Sequence, residues 1–161
     1  MMTRKLSLAA ACTGCVLIVS STFSHAKDGP YDAAIKARQA MFQLYSFNSG
    51  ILSDMAKEKI PYDADIATEA ANNLNAAANL GQSQFWPAGS DEEADGNIAT
   101  RAKLDIWETY PAITEKANAL SEAVAALVPV AGNGLDELQG AMGDVGASCK
   151  GCHDDFRAKK K

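Results

Sequence analysis

The sequence predicts an all-α protein, an antiparallel up-down-up-down bundle of four helices. Three observations carry that reading. Alanine, the strongest helix former, occurs 30 times in 161 residues, whereas proline occurs five times. Apolar residues recur at alternating steps of three and four in the segments that follow the N-terminal region. No segment alternates apolar and polar residues with the period of two that a half-buried strand requires. The first and third connections between the helical segments are short, which places consecutive helices side by side and antiparallel.

Residues 1–26 form a separate unit. Arg4 and Lys5 are followed by an uncharged stretch from Leu6 to Phe23, and then by the small-residue sequence Ser24-His25-Ala26. This is the layout of a secretory signal cleaved after Ala26. The apolar run is short and diluted by Ser, Thr and Gly, unlike a retained membrane span. Removing 26 residues leaves a single domain of 135, residues 27–161, for export to the periplasm with no membrane attachment. That domain keeps 13 of the 15 basic residues against all 20 acids, a net charge of −7. An acidic domain lacks the clustered Lys and Arg that nucleic acid rewards. Hydrophobic residues at 47% and charged residues at 22% match a globular protein and exclude a disordered chain.

Four segments follow. Asp28-Gly29-Pro30 signals a helix start, with Pro30 at a first-turn position, and Ile35, Arg38, Phe42, Tyr45 and Leu52 keep helical spacing to about Lys57. Gly50 interrupts this helix at a cost of about 1 kcal/mol, which close contact with another helix would explain. Pro61-Tyr62-Asp63 opens the second helix, with Ile66, Ala70, Leu74, Ala77 and Ala78 on one side and Gly81 at its end. Residues 82–97, with Pro87, Gly89, Gly96 and Asp91-Glu92-Glu93, read as a long solvated loop. The third helix is expected from about Ile98 to Leu127, with Ile106, Tyr110, Ile113, Ala117, Leu120, Val124 and Leu127 as its buried stripe and a kink at Pro111. Pro129 and Gly132-Asn133-Gly134 break the chain before the last helix, whose stripe is Leu135, Leu138, Met142, Val145, Cys149, Cys152 and Phe156.

Two cysteines therefore occupy core-facing positions. Cys12 and Cys15 lie in the signal, so Cys149 and Cys152 are the domain's only thiols and His153 its only histidine. Cys149-Lys150-Gly151-Cys152-His153 is a C-x-x-C-H motif, the attachment signal of c-type haem. Residues three apart on a helix share a face, so both sulfurs can bond neighbouring vinyl groups on one edge of a porphyrin. The adjacent imidazole then supplies the iron's axial ligand. A redox dithiol would sit at a helix N-terminus near a strand, and this motif lies deep in the final helix. A structural zinc site needs four ligands, and two Cys with one His supply three. A plain disulfide explains neither His153 nor the core-facing placement.

With those residues in place, the chain resembles the cytochrome c′ family, the high-spin class II c-type cytochromes, over nearly all of residues 30–160. The most specific stretch runs from Gly143 through the motif to Arg157. Arg38-Gln39 followed by Gly50, Pro61-Tyr62-Asp63-Ala64, Phe85 with Pro87, Gly89-Ser90 and Ile106-Trp107 follow in the family's order. The resemblance implies one covalent haem c per chain near the C-terminus of a four-helix bundle. It places Arg38 and Gln39 beside the haem propionates, loop contacts near Ser90 and Asp91, and Arg157 one turn beyond His153 on the proximal side. Arg38 stands in an otherwise apolar row, and haem carboxylates would give such an arginine its partner. Asp154, Asp155 and Lys159 to Lys161 read as solvated surface, the lysines also suiting a helix C-terminus.

The iron's sixth position has two candidates on the first helix. Met41 as ligand would make a low-spin Met/His electron-transfer cytochrome. Met142 shares a helix with His153 and does not reach the opposite haem face. The resemblance places the distal residue four positions after the arginine, at Phe42, whose ring cannot ligate iron. Five-coordinate iron under a hindered apolar cap follows, suited to nitric oxide and carbon monoxide and not to stabilising oxygen or cleaving peroxide. The resemblance also implies nitric oxide tolerance or transport, electron transfer with a redox partner protein, and a homodimer through the first two helices. No residue is placed as general acid or base over the iron, so an enzyme is not expected.

Overall fold

The computed structural model describes residues 28–160, so the expected signal segment lies outside the described residues. Helix α1 covers Asp32–Ala56, α2 Ala64–Ala78, α3 Asp105–Glu108, α4 Ala112–Leu127 and α5 Leu135–Phe156, with one 3₁₀ turn at Ser83–Phe85. The four long helices close a ring: α1 packs on α2, α2 on α4, α4 on α5, and α5 back on α1. This is the expected four-helix bundle. Among the described residues no helix is long and apolar enough to cross a membrane.

The core is the summed apolar stripe of these helices. Leu52, Met55, Leu74, Val124, Leu127, Leu138 and Val145 are buried together with Ala67, Ala70, Ala71 and Ala131. The alanines of α2 let its backbone approach its neighbours, so a helix with one leucine still fills its share of the core. Asp63 caps α2, its carboxylate accepting from the Ile66 N–H at 3.0 Å. Tyr62 ties the two short connections at this end of the bundle. Its hydroxyl donates to the Ala131 carbonyl at 3.0 Å and accepts from the Gly134 N–H at 2.9 Å.

Several expectations need correction. Pro30 precedes the N-cap Tyr31 instead of lying inside the first turn. The approach of the Gly96 carbonyl to Gly29 shapes this entry, since a Cβ on Gly29 would collide with that backbone. Gly50 is not explained by close helix contact, because a Cβ there would meet open space. Ile66 is exposed, and Ala67 and Ala71 take its place on the buried face of α2.

The expected third helix from Ile98 is the largest error. Residues 98–104 are not helical; their backbone groups pair with the end of α5. The Lys103 N–H donates to the Phe156 carbonyl at 3.1 Å, and the Ala158 N–H to the Arg101 carbonyl at 2.9 Å. Pro111 breaks the helix instead of kinking it, standing as the N-cap of α4 after the four-residue α3. Its missing donor and the restricted residue before it account for the break. The break shifts the register, so Tyr110 is 71% exposed and Ala117 is exposed, while Ile106, Val124 and Leu127 stay buried.

Replacing Tyr62 by Phe removes both tyrosine hydrogen bonds and leaves the ring. The expected loss is about 1–3 kcal/mol, read as a lower urea midpoint at unchanged slope.

Candidate haem site

α5 carries the motif, and its glycines at 140, 143 and 146 make it a poor helix by propensity alone. Packing supplies what propensity lacks: Leu138, Val145 and Phe156 are buried at intervals that keep one face on the bundle. Cys149 and Cys152 extend that face. Cys149 packs against the main core, and Cys152 against a second apolar cluster of Ala102, Ile106 and Phe156 that also receives Trp86 and Trp107. The sulfurs therefore stand at the junction of the two clusters. Both thiols are free and half-buried, and burial pushes both pKa values up.

His153 follows on the exposed side of α5. Partial burial, with smaller contributions from Arg157 and Arg101, lowers its pKa, favouring the neutral imidazole that binds metals. Arg157 itself is the exposed C-cap of α5. Asp154 pairs with Lys150, and Asp155 with Lys116 of α4 at 2.9 Å, so these acids stay on the surface. Two sulfurs on one helical face, followed at once by a neutral imidazole, form a donor set that fits covalent haem c.

The opposite wall comes from α1 and the long loop. Tyr45 lies near both cysteines, and burial, above the smaller effects of its neighbours, raises its hydroxyl pKa. The Phe42 ring stands edge-on to Tyr45, with centroids 5.6 Å apart at 83°, and to Trp86, at 6.2 Å and 75°. Trp86 in turn lies 6.2 Å from Trp107. Phe42 is thus set between the two rings that flank the cysteine pair, and it remains 41% exposed. Met41, its neighbour, is buried at 3% exposure.

Arg38 organises the loop. It is 2% exposed, and burial lowers its pKa to about 10, partly offset by Asp91, so it is cationic at neutral pH. Nη1 donates to Ser90 Oγ at 2.7 Å and to the Phe85 carbonyl at 3.2 Å. Nη2 donates to the Ser90 carbonyl and to Thr100 Oγ1 at 2.9 Å. The guanidinium lies 4.9 Å from the centre of the Trp86 ring. Arg38, Ser90 and Asp91 are therefore brought together, and loop oxygens occupy the terminal donors of the arginine that the expected propionate contact would use. Gln39 is exposed and donates to the Ala99 carbonyl at 2.9 Å.

Sequence reasoning gave no site role to Tyr45, Gln82, Trp86, Thr100, Arg101 or Trp107. The tryptophans had a usable signal, being the only two in the chain. Thr100 and Arg101 had none, since a straight third helix would have carried them away from α5.

Comparison with known proteins identifies relatives of the chain as a whole. Residues 33–157 match the family described as Cytochrome C'. Among curated relatives, the cytochrome c' of Cereibacter sphaeroides is 41% identical over 126 residues, covering 78% of this chain and 83% of the relative. Among solved structures, a cytochrome c' from Rhodobacter sphaeroides superposes with a TM-score of 0.76 at 40% identity, over 81% of this chain and 98% of that one. A ferrous variant of cytochrome c prime from Alcaligenes xylosoxidans, with bound NO, gives 0.66 at 31% identity over 79% and 94%.

Changing Cys149 and Cys152 together to Ala is expected to leave no haem on the polypeptide after acid–acetone extraction. Persistent covalent haem in that variant would refute the attachment assignment.

Proposed function

Because the chain belongs to the cytochrome c′ family, whose haem c is held covalently through cysteines, we propose that it is a periplasmic gas-binding haem protein with redox capability. In this reading the chain is exported, cleaved after Ala26, and loaded with one haem c on Cys149 and Cys152, with His153 as axial ligand. The group supplies an iron that binds small diatomic gases and exchanges an electron. The chain's own residues decide which ligands reach it.

The observation that carries the reading is the position of Phe42 against Tyr45, which packs on the same core as Cys149, and against Trp86, which packs on the same cluster as Cys152. A phenyl ring there excludes water and offers no lone pair, which supports five-coordinate iron with a hindered distal side. Nitric oxide and carbon monoxide need little polar support and suit such a pocket. The NO bound to the Alcaligenes relative supports the same ligand class. In this reading Gln39 lies on the loop side of the group, with Arg38, Ser90 and Asp91 buried beneath it to hold the loop, and Arg157 lies on the proximal side.

The protein binds and exchanges electrons rather than catalysing a reaction. Tyr45 is the titratable group next to the cysteines on the α1 side, and its raised pKa keeps it a neutral phenol, ill suited to act as a base. A homodimer through α1 and α2 is supported by apolar residues turned outward on both: Leu44 at 51% and Phe47 at 67% exposure, and Ile66 at 48%.

High-spin ferric and ferrous spectra are expected, and a low-spin Met/His spectrum would transfer the sixth position to Met41. Phe42→Ala should speed carbon monoxide and nitric oxide association; unchanged rates would mean that another residue guards the iron. Sedimentation should return a dimer, and a monomer at high concentration would remove that part of the reading.

A further inference from the structure

The two rings that Phe42 packs against are joined to each other by a side chain. Gln82, at the foot of the 3₁₀ turn, touches both. Its Nε2 donates to the Tyr45 hydroxyl at 3.4 Å, and its Oε1 accepts from the Trp86 indole N–H at 3.4 Å. Tyr45 is further held by donating to the Ala77 carbonyl at 3.3 Å. Trp86 is further held through its carbonyl, which accepts from the Trp107 indole at 3.1 Å, and by the Arg38 guanidinium against its ring. Phe42 makes edge-on contacts with both rings, so any swing of its ring gives up packing against one or both of them.

We propose that Gln82 is a positioning residue for the distal gate: by tying Tyr45 to Trp86 it holds the two rings that keep Phe42 closed and so sets the rate at which gaseous ligands enter. The inference rests on the five-coordinate reading above. The bland alternative is that Gln82 only fastens the loop end to α1. That alternative predicts a change in stability and none in entry rate. Both hydrogen bonds, at 3.4 Å, are longer than the usual range of about 2.7–3.2 Å, which suits a weak clamp that yields to a small entering molecule instead of locking it out.

The test uses the haem-loaded protein and carbon monoxide as the probe. Gln82→Ala should raise the association rate constant about fivefold, the equivalent of one hydrogen bond, with a high-spin spectrum like the parent's. The increase should be larger for a bulkier ligand such as n-butyl isocyanide. In a Phe42→Ala background the same change should have almost no effect, because the residue through which Gln82 acts is gone. Gln82→Glu keeps the acceptor for the indole but loses the donor to the Tyr45 hydroxyl, and should give a rate between the parent's and that of Gln82→Ala. Independently of ligand binding, the ultraviolet resonance Raman marker of indole N–H hydrogen bonding should shift in Gln82→Ala and not in Gln82→Glu.

A low-spin spectrum, or a Phe42→Ala rate equal to the parent's, would overturn the gate reading and the clamp with it. A fast Phe42→Ala variant beside an unchanged Gln82→Ala variant, or equal effects of Gln82→Ala with and without the Phe42 ring, would overturn the clamp alone.

Discussion

A buried cation dictates the arrangement of the site. The Arg38 guanidinium, almost wholly removed from solvent, must have its charge and its donors satisfied by oxygen atoms. α1 supplies none of those oxygens, so the chain between α2 and α4 has to come to it. Phe85, Ser90 and Thr100 do so from across fifteen residues of otherwise irregular chain, with Asp91 alongside. Once the loop is closed on Arg38, Trp86 has little freedom left. Its ring lies against the guanidinium and its edge meets Phe42, one helical turn further along α1. A second clasp at the start of α1 keeps the loop in register: the Asp32 carboxylate accepts from the Ile98 N–H at 2.7 Å, and the Asn97 side chain accepts from the Tyr31 N–H at 3.0 Å.

The other half of the site obeys a different constraint, the helical repeat. A three-residue interval keeps Cys149 and Cys152 on one face of α5, and the position after Cys152 is rotated off that face by about 100°. His153 therefore leaves the packed side and stands where Arg101 and Arg157 meet the end of the helix. Arg101 is there because residues 101–103 run along the end of α5 as a short strap. Its Nε donates to the Ala158 carbonyl at 2.7 Å, and the Lys103 ammonium donates to the Asp155 carbonyl at 2.6 Å. The carbonyls at the end of a helix lack intrahelical partners; here the Lys103 ammonium and amide answer that need at Asp155 and Phe156, and the Arg101 side chain takes the Ala158 carbonyl just beyond.

What was legible in the sequence follows from whether the cause was local. Helical periodicity and the proline and glycine breaks were enough for α1, α2 and α5, and the C-x-x-C-H spacing was enough to single out Cys149, Cys152 and His153 as candidates. Arg38 stood out as a charge in an apolar row, and the structure does bury it. Its partners are separated from it by some fifty residues, and only the family's order pointed to Ser90 and Asp91. Residues 98–104 were misread because the pattern from Ile106 to Leu127 looks continuous through Pro111. In the fold a proline break, and backbone partners on α5, outweigh that pattern. Ile66 shows the same limit on a smaller scale: with alanines on every side of α2, periodicity alone does not say which face is inside.

The two halves reach the site along different connections, and this gives the α1–α5 seam its importance. The sulfurs belong to the hairpin of α4 and α5; the aromatic wall belongs to α1 and the loop that Arg38 gathers in. Neither hairpin holds the pocket alone. Cys149 touches the core that joins all four helices, whereas Cys152 touches the smaller cluster that Trp86 and Trp107 complete. A group held by both sulfurs would therefore draw on both clusters, and its anchors would come from α5 alone. Loosening the loop would move the wall without moving the anchors. In such an arrangement, ligand entry can be tuned by substitutions in the loop and on α1 while the attachment chemistry on α5 stays the same.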